Sequence, residues 1–193
     1  MIPMWLPPWL SADLSLISGF LTWIVVLSWL WRSGWKIQRR YFIEATQKPL
    51  TRNAIVWSAG IVGAIFFVAA QMRPGMPGVM TVAMIGALSA YVDARTHRLP
   101  NAYTVAMAIG VVLGLVVGGV ISPLWQERLL GALLGALIWF VPIALLNRLP
   151  GGMGGGDVKL APVLGALVGS VGLHVAFFAL ALSFVSAGVA ALW

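Results

Sequence analysis

The sequence predicts an all-α fold, a polytopic membrane helix bundle of about seven transmembrane helices. Of its 193 residues, 61% are hydrophobic and only 9% are charged, which leaves too little polar surface for a protein dissolved in water. The apolar segments run for about 15–20 residues without the polar alternation of barrel strands. Backbone groups within lipid must be satisfied inside each segment, and this requirement favours helices.

We predict apolar helices over seven ranges of the chain, about 14–31, 54–71, 78–92, 102–121, 129–147, 158–169 and 174–193. The stretch from Leu160 to Trp193 is too long for one span of roughly 20 residues. The sequence Gly169-Ser170-Val171-Gly172 offers the tight turn that divides it into two short helices. The opening MIPMWLPPWL lacks a charged leader and a small-residue cleavage site, so we expect a retained anchor.

The basic residues predict the orientation in the membrane. The loops 32–53, 93–101 and 148–159 hold ten of the twelve lysines and arginines, and the opposite loops hold only Arg73 and Arg128. By the positive-inside rule the first set is cytoplasmic, with the N-terminus outside and the C-terminus inside. Tryptophans fall near both predicted interfaces, Trp5, Trp9 and Trp125 outside and Trp29, Trp31 and Trp35 inside. The net charge of +7 therefore indicates membrane lipids rather than nucleic acid as the partner.

The segment 34–53 is basic and not apolar enough to insert. At about 100° per residue, one broad helical face would carry Trp35, Ile37, Tyr41, Phe42 and Ala45, and Lys36, Arg39 and Arg40 would lie on the other side. Two interpretations stay open, an amphipathic helix on the anionic inner leaflet and a solvated basic loop.

Small residues recur at four-residue spacing, at Gly110, Gly114 and Gly118, at Gly131 and Gly135, and at Gly165 and Gly169. This spacing lets helix backbones approach closely in lipid. Because several helices share the pattern, we expect packing within the bundle rather than dimerisation, and the oligomeric state stays open.

Only five carboxylates occur, and three have a simple local explanation. Asp13 precedes the first predicted span and is expected to cap it. Glu44 is expected to be neutralised by cations of the basic segment, and Glu127 adjoins Arg128.

Asp93 and Asp157 differ, because each adjoins an apolar span on the predicted cytoplasmic side. Asp93 lies fourteen positions after Val79, and Val171 lies fourteen positions after Asp157. If both helices reach the outer face, each aspartate lies roughly 21 Å from it, so the two share a similar depth. A charge at membrane depth usually marks a functional site. The alternative is a structural pair neutralised by Arg95 or Lys159.

Five of the six residues before Asp157 are glycine, from Gly151 to Gly156. Such a run allows backbone shapes that side chains would block, and it lets a peptide approach the carboxylate. It is not a phosphate-binding loop, because Asp157-Val158 replaces the required lysine and serine or threonine. A flexible linker is the alternative interpretation.

Two motifs carry a family resemblance. Gly154-Gly155-Gly156-Asp157 resembles the GxGD signature of intramembrane aspartyl proteases, and its continuation Val158-Lys159-Leu160 resembles the second catalytic motif of type IV prepilin peptidases. The stretch from Asp93 to Asn101, DARTHRLPN, is similar to the first motif of that family. The resemblance covers about residues 78–185. It is closest to the short, peptidase-only members found with tight-adherence pilus systems.

The resemblance implies an aspartyl endopeptidase with Asp93 and Asp157 as the catalytic residues, and with no metal and no cofactor. It also implies that motif and substrate-loop residues surround them, namely Gly154, Gly155, Gly156, Lys159, Arg95, Pro100 and Asn101. The expected substrate is a prepilin or pseudopilin, cleaved at the cytoplasmic face of the bacterial inner membrane. Residues 1–53 would form an anchor helix with a basic amphipathic segment, and residues 54–193 the transmembrane peptidase domain.

The chain departs from the larger prepilin peptidases in two respects. It has no cysteine, whereas the bifunctional enzymes carry paired cysteines in a region associated with N-methylation, so methyltransferase activity is not expected. It also has about seven predicted spans where the larger enzymes have eight.

Other functions remain open at the level of the sequence. Presenilin-like and signal-peptide-peptidase-like proteases also use GxGD, but Tyr91-Val92-Asp93 only approximates their Tyr-Asp pair. A small transporter could use the two aspartates as a proton relay. That hypothesis predicts broken helices and polar residues through the bilayer midplane, whereas the predicted spans are nearly all apolar. A catalytically inactive scaffold is a third alternative.

Overall fold

The computed structural model describes residues 8–70, 75–150 and 153–191. All regular structure in these ranges is helical, and the elements are α1 (Pro8–Trp29), a π-helical segment (Leu30–Gly34), α2 (Trp35–Glu44), α3 (Arg52–Ala69), α4 (Met76–Thr96), α5 (Asn101–Ile121), α6 (Trp125–Asn147), α7 (Gly155–Gly169) and α8 (Leu173–Ala191). Because α1, the π-helical segment and α2 follow without a break, the described ranges contain seven continuous helical stretches. The predicted all-α fold is confirmed. Sequence predictions on Trp5, Arg73, Gly151 and Gly152 fall outside the described residues.

Five helical stretches are long and apolar enough to cross a membrane, namely Leu10–Glu44, Arg52–Ala69, Met76–Thr96, Asn101–Ile121 and Trp125–Asn147. The last two helices are not among these five, because α7 has 15 residues and the apolar stretch of α8 runs only from Leu173 to Val189. The predicted turn between Gly169 and Leu173 separates them. Most predicted helix boundaries agree with the structure within about four residues, because glycine and proline mark the ends of these helices.

The first helix begins earlier than predicted, and this overturns one assignment. Pro8 is its first residue, so Asp13 lies inside α1 and does not cap it. A proline is well tolerated at a first helical position, because its fixed φ suits the helix and its missing N–H would have no intrahelical partner there. The Asp13 side chain is exposed.

The chain forms two compact units, Met1–Pro123 and Leu124–Trp193, which we call unit 1 and unit 2. Within unit 1, α4 packs against α1, α2, α3 and α5. Its buried residues run along most of its length, from Met76 to Val92. Helix α5 approaches α4 closely at Gly114, where an added Cβ would collide with the backbone of Gly75 and Gly78. The core of unit 1 therefore supports the end of α4, where Asp93 lies.

Unit 2 is built on a close crossing of α6 and α7. Gly131 packs against Gly169, and Gly135 packs against Gly165, so closely that any side chain would meet the opposite backbone. These four glycines thus pack within the bundle, as predicted. Beside the crossing lies a small apolar core in which the Trp139 indole N–H donates a hydrogen bond of 3.0 Å to the carbonyl oxygen of a residue of α8.

The basic segment 34–53 is helical as far as Glu44 and then continues as turn and loop to α3. The first half of the segment is therefore a helix, and its place on the inner leaflet stays a prediction. The face that would lie on lipid in the amphipathic interpretation is partly covered by the protein itself. Phe42 is buried and stacks on Tyr91 of α4, with ring centroids 5.9 Å apart and planes 15° apart. Lys36, Arg39 and Arg40 are exposed on the other side, as predicted.

Candidate functional site

Asp93 lies in the last turn of α4, and its side chain is half-buried. Its backbone carbonyl accepts a hydrogen bond of 2.7 Å from the N–H of His97, which adopts the left-handed conformation (φ 51°) and ends the helix. The Asp93 carboxylate has no hydrogen bond or ion pair to any residue that the structure describes.

Arg95 does not neutralise Asp93. Its guanidinium carbon lies 5.8 Å from the centroid of the Tyr91 ring, one turn back along α4. Residues two apart on a helix point in different directions, so Arg95 and Asp93 do not face each other. The structure therefore does not show the ion pair between Asp93 and Arg95 that the structural interpretation of this aspartate requires.

The connection from α4 to α5 is short and well supported. The Thr96 hydroxyl donates a hydrogen bond of 2.8 Å to the Val92 carbonyl, and Pro100 is fully buried. The Pro100 carbonyl accepts from the N–H groups of Tyr103 and Thr104 at 3.0 and 3.3 Å, so α5 begins at Asn101, one residue before its predicted start. This connection holds Asp93, Arg95, Pro100 and Asn101 in one helix–loop–helix element.

Residues 34–50, which we call the α2 platform, pack beneath this element. The Gln47 side-chain amide donates a hydrogen bond of 2.8 Å to the Arg95 carbonyl. The Glu44 carboxylate binds Arg98, with Oε2 3.0 Å from Nη1. The Tyr103 hydroxyl donates a hydrogen bond of 3.0 Å to the Gly34 carbonyl. The platform thus contacts the Asp93 element before, within and after its loop.

Asp157 is the third residue of α7, at the opposite kind of helix end. Its Oδ2 accepts a hydrogen bond of 3.2 Å from the N–H of Gly154, the extended residue before the helix. A carboxylate at this position satisfies one of the otherwise unpaired N–H groups, and the helix dipole stabilises its negative charge. The side chain is half-buried, like that of Asp93.

The described part of the glycine run, from Gly154 to Gly156, is anchored and not a free linker. The residue before it, Met153, packs against the apolar core of unit 2, and its carbonyl accepts a hydrogen bond from the Asn147 side-chain amide at the end of α6. Open space lies where a Cβ of Gly155 would be. The backbone beside Asp157 is therefore held in place and still accessible. Lys159, two residues further along α7, is exposed.

Three supporting residues were not predicted from the sequence, namely Glu44, Gln47 and Asn147. The expected neutralisation of Glu44 by nearby cations is confirmed for Arg40, one helical turn away, at 2.9 Å. Its second partner, Arg98, is 54 positions away, and no local pattern indicates that pair. The pairing of Asp93 in unit 1 with Asp157 in unit 2 stays a prediction.

Comparison with known proteins gives one finding. The model of the type IV leader peptidase family matches residues 79–192, which is more than half of the chain. The match includes both aspartates and the helices α5 to α8. Neither the curated proteins nor the solved structures gave a match.

Proposed function

The chain belongs to the type IV leader peptidase family, and from this membership we propose that it is an aspartyl endopeptidase of the membrane that removes the leader of prepilin-like proteins. Its long apolar helices are those of an integral membrane protein. The observation that carries the proposal is the state of Asp93, a half-buried carboxylate without an ion-pair partner among the described residues, within the matched range. Asp157, at the N-terminus of α7, supplies the second carboxylate.

The two helix ends support different roles for the two acids. The N-terminal turn of α7 stabilises a negative charge on Asp157, which suits a general base. Asp93, in the last turn of α4, is then assigned the complementary role of general acid. Two carboxylates that come close share one proton, so their titrations couple.

The proposed reaction is the hydrolysis of one peptide bond by an activated water. Asp157 accepts a proton from the water as its oxygen attacks the scissile carbonyl carbon, and Asp93 donates its proton to the carbonyl oxygen. When the tetrahedral intermediate collapses, the C–N bond breaks and the leaving amine takes up a proton from the acid pair. No residue other than the two aspartates changes protonation in this scheme.

The surroundings of the acids support a substrate with a polar leader and an apolar helix. The exposed backbone at Gly154 and Gly155 lets an extended peptide approach Asp157, while long apolar helices offer a lipid environment for the helix of the substrate. We assign the support of the loops to Pro100 and Asn101, and contacts with substrate or lipid headgroups to Arg95 and Lys159. The asymmetry of basic residues supports a catalytic face on the cytoplasmic side of the bacterial inner membrane.

Cleavage of a co-expressed prepilin in membranes tests the proposal. Asp93→Asn and Asp157→Asn preserve the side-chain shape, and each is expected to lower the cleavage rate by about 10²-fold or more, because each removes an acid–base group. Asp13→Asn, an exposed position on α1, is the matched control and should cleave normally.

Normal cleavage by either folded variant would contradict the assignment of the acids. A parent protein that cleaves no prepilin but carries protons across the membrane of proteoliposomes would favour the proton-relay alternative. That alternative replaces this proposal if Asp93→Asn and Asp157→Asn also stop the proton flux.

A further inference from the structure

We propose that Glu44 is a positioning residue for the acid pair: by binding Arg98, it keeps this guanidinium away from the Asp93 carboxylate. The inference rests on the proposed catalytic function of Asp93. It gives the α2 platform, which lies outside the range matched by the family model, a role in the reaction.

The geometry of Glu44 fits this role. Its Oε2 lies 3.0 Å from Nη1 of Arg98, and its Oε1 lies 2.9 Å from Nε of Arg40, so both carboxylate oxygens are occupied. Arg98 follows the left-handed His97 directly and lies five residues after Asp93. In this proposal, an Arg98 side chain released from Glu44 turns to the Asp93 carboxylate, the half-buried acid at the end of α4 that has no partner among the described residues.

Other contacts of the platform keep Glu44 on this side of the element. The stacked rings of Phe42 and Tyr91 join α2 to α4 two residues before Glu44, and Gln47 binds the Arg95 carbonyl three residues after it. The guanidinium of Arg95 is itself held over Tyr91. Both arginines of the DARTHR sequence are thus engaged by groups other than Asp93.

The ion pair contributes little to folding, which makes an electrostatic role testable. The side chains of Arg98 and Glu44 are 62% and 41% exposed, and water and salt screen such pairs strongly. Loss of the pair should therefore leave the fold intact. A guanidinium on the half-buried Asp93 is less screened, and it would hold this carboxylate in an ion pair that competes with its place in the acid pair.

The experiment measures prepilin cleavage by the purified full chain with three substitutions. Glu44→Gln should lower kcat about three- to tenfold with KM unchanged, since the released Arg98 neutralises Asp93. Adding Arg98→Gln to Glu44→Gln should restore kcat to within about twofold of the parent, because the interfering cation is gone. Arg40→Gln is the matched control, since it removes the other partner of Glu44 and leaves the Arg98 pair in place; its kcat should not change.

Rescue by the second substitution separates this role from simple support of the loop. If Glu44 only buttressed the fold, Arg98→Gln alone would be as harmful as Glu44→Gln, and the double variant would stay slow. Either result, or a Glu44→Gln variant with the kcat of the parent, overturns the inference.

A second measurement does not depend on peptidase activity. The chain has no cysteine, so Glu44→Cys with Arg98→Cys provides the only thiols for a short bis-maleimide crosslinker. This pair should crosslink in membranes, and Lys36→Cys with Arg98→Cys, with the first thiol two helical turns further back, should not. A parent chain that cleaves no prepilin overturns the proposed function and the role of Glu44 with it. Absence of the crosslink in a chain that cleaves overturns the role of Glu44 alone.

Discussion

The two aspartates occupy opposite helix ends and are supported in opposite ways. Asp157 begins a helix, and its supporting groups are close in sequence, Gly154 three residues before it and Asn147 at the end of the preceding helix. Asp93 ends a helix, and its element is supported by a platform about 50 residues earlier in the chain. The two supports of the Asp157 end named here thus come from nearby positions, whereas those of the Asp93 end come from a segment outside the range of the family match.

The largest effect on stability is expected from a substitution at the crossing of α6 and α7, the helix whose first turn contains Asp157. In Gly165→Val the new side chain would overlap the backbone of Gly135, so α6 and α7 must separate, at a cost of about 3 kcal/mol or more in the free energy of unfolding. Thermal unfolding in detergent, followed by tryptophan fluorescence, measures this loss. Gly188→Val is the control, since nothing lies near its added Cβ. Equal melting temperatures for the two variants would contradict the importance of the crossing.

An intermediate effect is expected from the two side-chain amides that support the loops. Gln47→Ala and Asn147→Ala each remove one hydrogen bond to a backbone carbonyl, worth about 1 kcal/mol. We expect a fall in the cleavage rate of up to about fivefold for each variant, because the loops beside the acids loosen. Ser183→Ala removes a comparable hydrogen bond on exposed α8 and should cleave like the parent. A selective effect of Asn147→Ala would show that the platform does not support the reaction.

The smallest effect is expected when the stabilities of the Asp157→Ala and Asp93→Ala variants are compared. Asp157→Ala loses the hydrogen bond from Gly154 and the interaction with the helix dipole, so it should lower the free energy of unfolding by about 0.5–1 kcal/mol. Asp93→Ala removes a carboxylate without a described partner, at the unfavourable end of the dipole, and should not destabilise the protein. Paired urea or thermal unfolding curves compare them. The reverse order would contradict the contrast between the two helix ends.

Most of the fold could be predicted, because in lipid the length and composition of apolar segments determine where helices form. Proline and glycine residues predicted the connection before Asn101 and the turn at Gly169. The start of α1 was not, since the polar Asp13 resembles a cap although Pro8 already begins the helix. The buried face of α2 could not be predicted either, because Phe42 stacks on Tyr91 of another helix, and no local pattern indicates that contact.

The candidate site could be predicted in part. Its acids stand out by elimination, because only five carboxylates exist and the glycine run precedes one of them. The partner of Asp157 at Gly154 follows from the spacing at a helix start. Arg98 and Glu44 come together only when α4 and α2 pack. Because this contact depends on tertiary structure, the spacing of residues in the sequence does not indicate it.

The π-helical segment Leu30–Gly34 determines the direction in which the side chains of α2, the next part of the first helical stretch, point. Such a segment usually amounts to one residue inserted into an α-helix, and each residue of an α-helix turns the chain by about 100°. Deleting one residue between 30 and 34 would therefore turn α2 by about a quarter of a revolution and aim Phe42 and Glu44 away from α4. A single inserted amino acid in the first helical stretch thus decides whether Glu44 and Arg98 can meet.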